Sequence, residues 1–175
     1  MRLMRSLRLR AALMAATVAS TLITHVAEAQ HSVRAGIGAD IPIGGSADLL
    51  TSGYHTTLGF AFTPHVLRHE IRIDGSIAEL STHDSASTMH RIQSITADIV
   101  LAGPSRLTPT GYVVLGVGTY QQSGRGGRKS GNGINVGAGI NFPRHVAGAY
   151  LEARVHYIDG RTRTKYFPVT FGLVF

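Results

Sequence analysis

Seven ionisable side chains lie inside otherwise apolar or small-residue runs of the 175-residue chain: Asp40, Glu70, Arg72, Asp74, Asp98, Glu152 and Arg154. Two guanidinium groups among five carboxylates suit an ionic network held away from water. Each guanidinium offers five donors in a planar fork, and each carboxylate accepts several hydrogen bonds. Glu70, Arg72 and Asp74 fall on alternate positions, as do Glu152 and Arg154, so on extended strands each set projects to one face. The specific pairings are left open at this level.

Other chemistries fit less well. A nucleophilic hydrolase or acyltransferase needs a hydroxyl, a histidine base and an acidic partner. His55, His69, His83, His90 and His156, with Ser52, Ser81, Ser85 and Ser87, supply only scattered candidates. His65 and His69 are four apart, but a turn followed by a strand denies them the helical geometry of a metal motif. His83, Asp84 and His90 share a polar segment and would capture a metal only incidentally. The run Gly124-Arg125-Gly126-Gly127-Arg128-Lys129 looks like a phosphate cradle but lacks a strand-to-helix setting. The chain has no cysteine, which excludes disulfides and thiolate metal sites. No enzyme activity, cofactor or metal is expected.

The elements that would position the charges are strands. Residues 1–29 read as a secretory signal peptide: Arg2, Arg5, Arg8 and Arg10 precede an uncharged apolar run from Ala11 to Ile23, and Ala27-Glu28-Ala29 gives the small-x-small cleavage pattern. That run is shorter than the roughly 20 residues of a membrane helix. Residues 30–175 then form a single domain, whose formal charge falls from +7 to +4 as four arginines and one glutamate leave with the leader. This charge, without a basic stripe and interleaved aromatics, gives no reason to expect nucleic acid.

Within the domain, eight runs alternate apolar with small or polar residues: 33–41, 54–62, 67–77, 89–101, 112–120, 134–142, 149–157 and 166–175. Arg91, Ile92 and Gln93 break the phase of the fourth run, so a bulge or an exposed strand end is expected there. In the last run Phe167, Val169, Phe171, Leu173 and Phe175 form an unbroken apolar face. The run lengths match the roughly 9–11 residues with which a tilted strand crosses a membrane. Short proline-bearing turns follow the second, fourth and sixth runs. More polar connections are expected at 44–52, 79–88, 121–133 and 158–164.

Alternation also fits a soluble ligand-carrying barrel with its apolar stripe inside. The polar stripe decides otherwise. It is made of Gly, Ser, Thr and Asn with a few charges, and the two lysines of the domain, Lys129 and Lys165, lie in or beside connections. Small side chains suit the crowded interior of an eight-stranded barrel. An arginine turned toward lipid at mid-membrane would cost about 2–4 kcal/mol. The expected fold is therefore all-β: an eight-stranded antiparallel up-and-down transmembrane β-barrel with Arg72 and Arg154 among lumenal carboxylates. An even strand number leaves both termini on one side, expected to be periplasmic. Tyr54, Phe62, Tyr120, Phe142, Tyr157, Phe167 and Phe175 are candidates for the interfacial aromatic girdles.

From residue 33 to 175 the chain resembles the small eight-stranded outer-membrane barrels, the OmpX, OmpA-transmembrane and opacity-protein group. The closing pattern through Phe167, Val169, Phe171, Leu173 and Phe175 carries the resemblance, and the run Tyr112-Val113-Val114-Leu115-Gly116-Val117-Gly118 is a softer match. The resemblance implies that the closing strand is read by the outer-membrane assembly machinery. It implies outer-membrane localisation, contact with outer-membrane lipids and lipopolysaccharide, and a structural, surface-interaction or adhesion role. Members of the group also include lipid-A-modifying enzymes, but the deacylase Arg-His-x-Ser-Asn pattern is absent, the nearest dipeptide being His55-Thr56. A monomer with a polar, side-chain-filled lumen is expected, too narrow for nutrient diffusion. Arg125, Arg128 and Lys129 are the candidate contacts to lipopolysaccharide phosphates.

Overall fold

The computed structural model describes residues 30–64, 69–82, 85–102, 109–124, 127–142, 147–160 and 163–175. Residues 1–29, 65–68, 103–108 and 143–146, on which the expected leader and short turns fall, and His65, His83, Asp84 and Arg125 lie outside the described residues.

Eight strands follow in chain order: β1 Gln30–Pro42, β2 Leu50–Thr63, β3 Glu70–Thr82, β4 Ser85–Ala102, β5 Thr110–Gly124, β6 Gly127–Phe142, β7 Gly148–Asp159 and β8 Thr164–Val174. A 3-10 turn at Gly44–Ser46 links β1 toward β2. Each strand pairs antiparallel with its successor, and β1 pairs with β8 from Arg34↔Val174 to Pro42↔Tyr166, closing the barrel. Phe175 extends the closure: its N–H reaches the Val33 carbonyl at 2.8 Å, and the Val33 N–H reaches the Phe175 carbonyl at 3.0 Å. Closure leaves no sheet edge along the wall, as a lipid environment requires of backbone donors and acceptors.

Alternation then sorts the side chains. Ile37, Leu58, Ile95, Val117, Ile134 and Phe171 point outward, each more than half exposed, and form a continuous apolar belt around the barrel. The soluble carrier with an apolar interior is excluded by this belt. Inward positions carry Arg34, Asp40, His55, Arg72, Asp74, Asp98, Asn135, Glu152, Arg154 and His156, all buried. Polarity is therefore inverted relative to a water-soluble domain.

Three expectations are corrected. Arg91–Gln93 holds regular register with both neighbours, as in Ile92↔Ala78 and Ile92↔Gln122. The irregular pairing lies higher, between Ser81 and Thr82. The phase is intact because Ile92 points inward, into an apolar cluster with Leu50, Ala78, Leu80, Tyr120, Ile158 and Tyr166. The interior simply changes from polar to apolar at that height. Tyr120 is accordingly a lumenal residue, 1% exposed, and not part of a girdle, whereas Tyr54, Phe142 and Phe175 do face outward.

The third correction concerns connections. Most of 79–88 and 121–133 is strand: β4 is 18 residues long, and β5 and β6 stay paired as far as Gly124↔Gly127. The wall therefore rises beyond the belt at the end remote from both termini, here termed the far end. There the outward face is polar, with Glu79, Arg91, Gln121 and Ser130.

Candidate functional site

The lumen is built from glycines and long polar side chains that fill the space the glycines leave. A Cβ at Gly116 would collide with the Asp98 carboxylate and the Asn135 amide, and one at Gly38 would collide with the His55 ring and the Val169 carbonyl. Small residues on one strand thus admit large ones from its neighbours.

At mid-height Arg72 of β3 and Arg154 of β7 form the centre. Arg72 donates from Nη2 to Glu152 Oε2 at 2.9 Å, and its Nε lies 3.0 Å from Asp74 Oδ2. Arg154 donates to three carboxylates: Glu152 Oε1 at 2.6 Å, Asp98 Oδ2 at 2.9 Å and Asp74 Oδ2 at 2.5 Å. Asn135 adds a bond to Asp98 Oδ1 at 2.8 Å, and Thr96 one to Oδ2 at 3.1 Å. The two guanidinium groups tie β3, β4 and β7 together across the lumen. Burial removes water as a competitor, so every donor must be met from within.

Two of the seven candidate charges stand apart from this centre. Glu70 lies toward the terminal end, 3.9 Å from Arg34. Arg34 donates to Tyr112 Oη at 3.1 Å and sits 4.0 Å from the Tyr150 ring centroid, in cation–π range. Tyr112 in turn donates to Glu152 Oε2 at 2.8 Å, which joins Arg34 to the central group. Asp40 is the other outlier. Its Oδ1 lies 3.0 Å from His55 Nδ1, and the opposite ring nitrogen, Nε2, is 2.8 Å from Thr170 Oγ1. Strands β1, β2 and β8 each give one member, so this relay straddles the seam where the barrel closes.

Arg34, Thr170, Asn135 and Tyr150 are not among the sequence candidates, and His55 and His156 stand there only as scattered candidate bases. The available signal was strand parity. Arg34 shares the inward stripe of Asp40, and His55 that of Thr57 and Gly59. Farther along, His156 Nδ1 is 2.9 Å from Tyr120 Oη, and its ring stacks on Tyr166 at 4.8 Å. Near the far end Gln122 Oε1 accepts from Thr164 at 2.9 Å and lies 3.1 Å from His90 Nε2.

The order carboxylate, imidazole, hydroxyl in Asp40–His55–Thr170 is that of a hydrolytic triad. Its surroundings are not. The cavity it faces has a volume of about 40 Å³, room for a few waters and not for an ester or amide substrate. Among the described residues no group of three or more His, Asp or Glu side chains is placed to hold a metal ion.

The rim differs. Arg91 donates twice to Glu79 Oε1, once at 2.8 Å and once at a shorter distance, and Tyr54 Oη donates to Glu79 Oε2 at 2.6 Å. Lys165 stands 5.3 Å from the Tyr157 ring centroid. Arg128 and Lys129 are exposed on the β5–β6 hairpin. The closing-strand residues Phe171, Leu173 and Phe175 are exposed on the outer face, while Phe167 and Val169 are half-buried beside them.

No family model matches the chain, and no curated protein matches it. Among solved structures, Neisserial surface protein A (NspA) superposes with a TM-score of 0.66 at 14% identity, over 83% of this chain and 97% of that one. The fold is that of a small eight-stranded outer-membrane β-barrel. Ail, the attachment invasion locus protein of Yersinia pestis, aligns at 18% identity over 83% of this chain and 97% of its own, with a TM-score of 0.47. At these identities the likeness speaks for architecture, and activity must be argued from the residues.

Proposed function

We propose that the protein is a monomeric, non-enzymatic outer-membrane barrel that acts through its far-end surface, with both termini in the periplasm and the lumen serving as a filled internal brace. One observation carries this reading: the β5–β6 hairpin continues past its β7 neighbour. β6 pairs with β5 down to Gly127, yet among the described residues its pairing with β7 begins only at Asn132↔Asp159. A paired, polar hairpin standing clear of the apolar belt is presented to whatever lies outside the membrane.

Arg128, exposed on that hairpin, together with Arg125 and Lys129, supplies the charge to meet lipopolysaccharide phosphates. The leader reading and the closing strand Phe167 to Phe175 support export and delivery by the outer-membrane assembly machinery. The small cavity volume and the cross-lumen ion pairs argue against a diffusion pore.

The test is binding of purified lipopolysaccharide to vesicle-embedded protein. Replacing Arg125, Arg128 and Lys129 with glutamine is expected to weaken binding at least severalfold while the heat-dependent gel shift of the folded barrel stays unchanged. Equal binding by the triple variant would overturn the assignment of these residues.

A further inference from the structure

Four buried carboxylates face the lumen, Asp40, Asp74, Asp98 and Glu152, against three buried arginines, Arg34, Arg72 and Arg154. Half-buried Glu70 adds a further negative charge at the terminal end. Part of the shortfall has an address. Asp74, Asp98 and Glu152 each contact Arg154, and Asp74 and Glu152 also contact Arg72. Among the described residues Asp40 has no arginine partner; its ion-pair contact is with His55.

Asp40 is 0% exposed, and its second oxygen, Oδ2, has no hydrogen-bond partner in the protein. An uncompensated carboxylate with an idle oxygen is costly in a low-dielectric interior. The same side chain lines the cavity of about 40 Å³, larger than the roughly 10–15 Å³ that one water requires. Thr57 and Thr170 hydroxyls line it from β2 and β8. The cavity is thus a small lumenal chamber beside an unmet negative charge.

We propose that this chamber binds one small monovalent cation, sodium or potassium, against Asp40. Hard cations of this class take carboxylate, hydroxyl and water oxygens. A cation supplies the missing charge and occupies Oδ2 at once. His55 Nε2 is already engaged with Thr170 at 2.8 Å, and its Nδ1, 3.0 Å from Asp40 Oδ1, makes no hydrogen bond to that oxygen. A divalent ion would overshoot the single charge of Asp40, and it would find no third carboxylate or imidazole in place among the described residues. The charged groups facing the chamber from elsewhere are already engaged with one another: Arg72 and Asp74 on β3, Glu152 and Arg154 on β7, and Arg34 on β1 with its tyrosines. His156, with Tyr120 and Tyr166, closes the upper wall.

The direct test is a crystal of the wild-type barrel grown in thallium(I), a potassium mimic with a strong anomalous signal. One peak within coordinating distance of Asp40 Oδ2, absent from Asp40→Asn crystals, is the expected result. Water alone at that position would overturn the proposal. A parallel measurement needs no crystal: protein refolded into vesicles in sodium, potassium or N-methylglucamine chloride at equal ionic strength. Wild type is expected to resist thermal unfolding better in an alkali salt, and Asp40→Asn to lose that preference. Identical wild-type curves in all three salts would also overturn the proposal. Neither readout depends on lipopolysaccharide binding at the rim.

Discussion

Arg154 and Arg91 are the same side chain in two different solvents. Arg154 is 9% exposed and divides its donors among Glu152, Asp98 and Asp74, whereas Arg91 is 55% exposed and gives two donors to Glu79. By distance the two look equally well bonded. Their weights differ because of what replaces each bond when it is lost. Water re-solvates a rim carboxylate, and the net value of an exposed pair is about 0–1 kcal/mol. In the lumen nothing replaces Arg154, and three carboxylates would be left to share Arg72. Position relative to the belt, more than bond count, decides which charges brace the barrel and which remain available to partners.

The largest expected effect tests that contrast directly. Arg154→Met should destabilise the vesicle-embedded barrel by about 3–5 kcal/mol, the usual result of removing one partner from a buried ionic group. Arg91→Met should cost about 1 kcal/mol or less. Urea unfolding followed by intrinsic fluorescence or by the heat-dependent gel shift reads both. Equal losses would remove the distinction between lumen and rim.

A second pair of substitutions compares the same regions without touching charge. Gly116→Ala puts a methyl where the Asp98 carboxylate and Asn135 amide already sit, and overpacking of that kind costs about 1–3 kcal/mol. Gly45, within the 3-10 turn at the far end, has nothing within 4 Å of an added Cβ. Gly45→Ala should therefore stay within about 0.5 kcal/mol of wild type. A tolerant Gly116 would mean that the lumen repacks more readily than its bonding implies.

The same boundary governs how much could be read from the sequence. Strand number, closure and the outward turn of the apolar stripe follow from period-2 alternation, because a lipid-facing belt forces one side of every strand to be apolar. The partners of Arg72 and Arg154 did not follow, since register and strand tilt decide which carboxylates meet across a lumen. Asp40 shows the limit. On sequence it was one more mid-strand carboxylate for the arginines, yet it sits at the seam with His55 and Thr170, joined by strands from opposite ends of the chain. Ile92 and Tyr120 failed for another reason. They sit inward at a height where the lumen has become apolar, so hydropathy alone mistook a change of filling for a bulge or a girdle.

The smallest expected effect belongs to the rim and depends on pH. Glu79 accepts from the Tyr54 hydroxyl and from Arg91, beyond the apolar belt. The bond from Tyr54, then those from Arg91, hold its carboxyl below the ordinary value of 4.5. A carboxylate with a depressed folded-state pKa binds protons more readily when unfolded. Its contribution is therefore present above the ordinary value and is lost as pH falls through the folded one. Stability curves of wild type and Glu79→Gln should be separated slightly at neutral pH and converge under acid conditions. High salt should narrow the neutral-pH gap, since the rim is open to screening. For Arg154→Met the gap should survive high salt, because salt screens a buried pair far less than an exposed one. A salt-sensitive Arg154 and a salt-insensitive Glu79 would reverse the assignment of brace and surface.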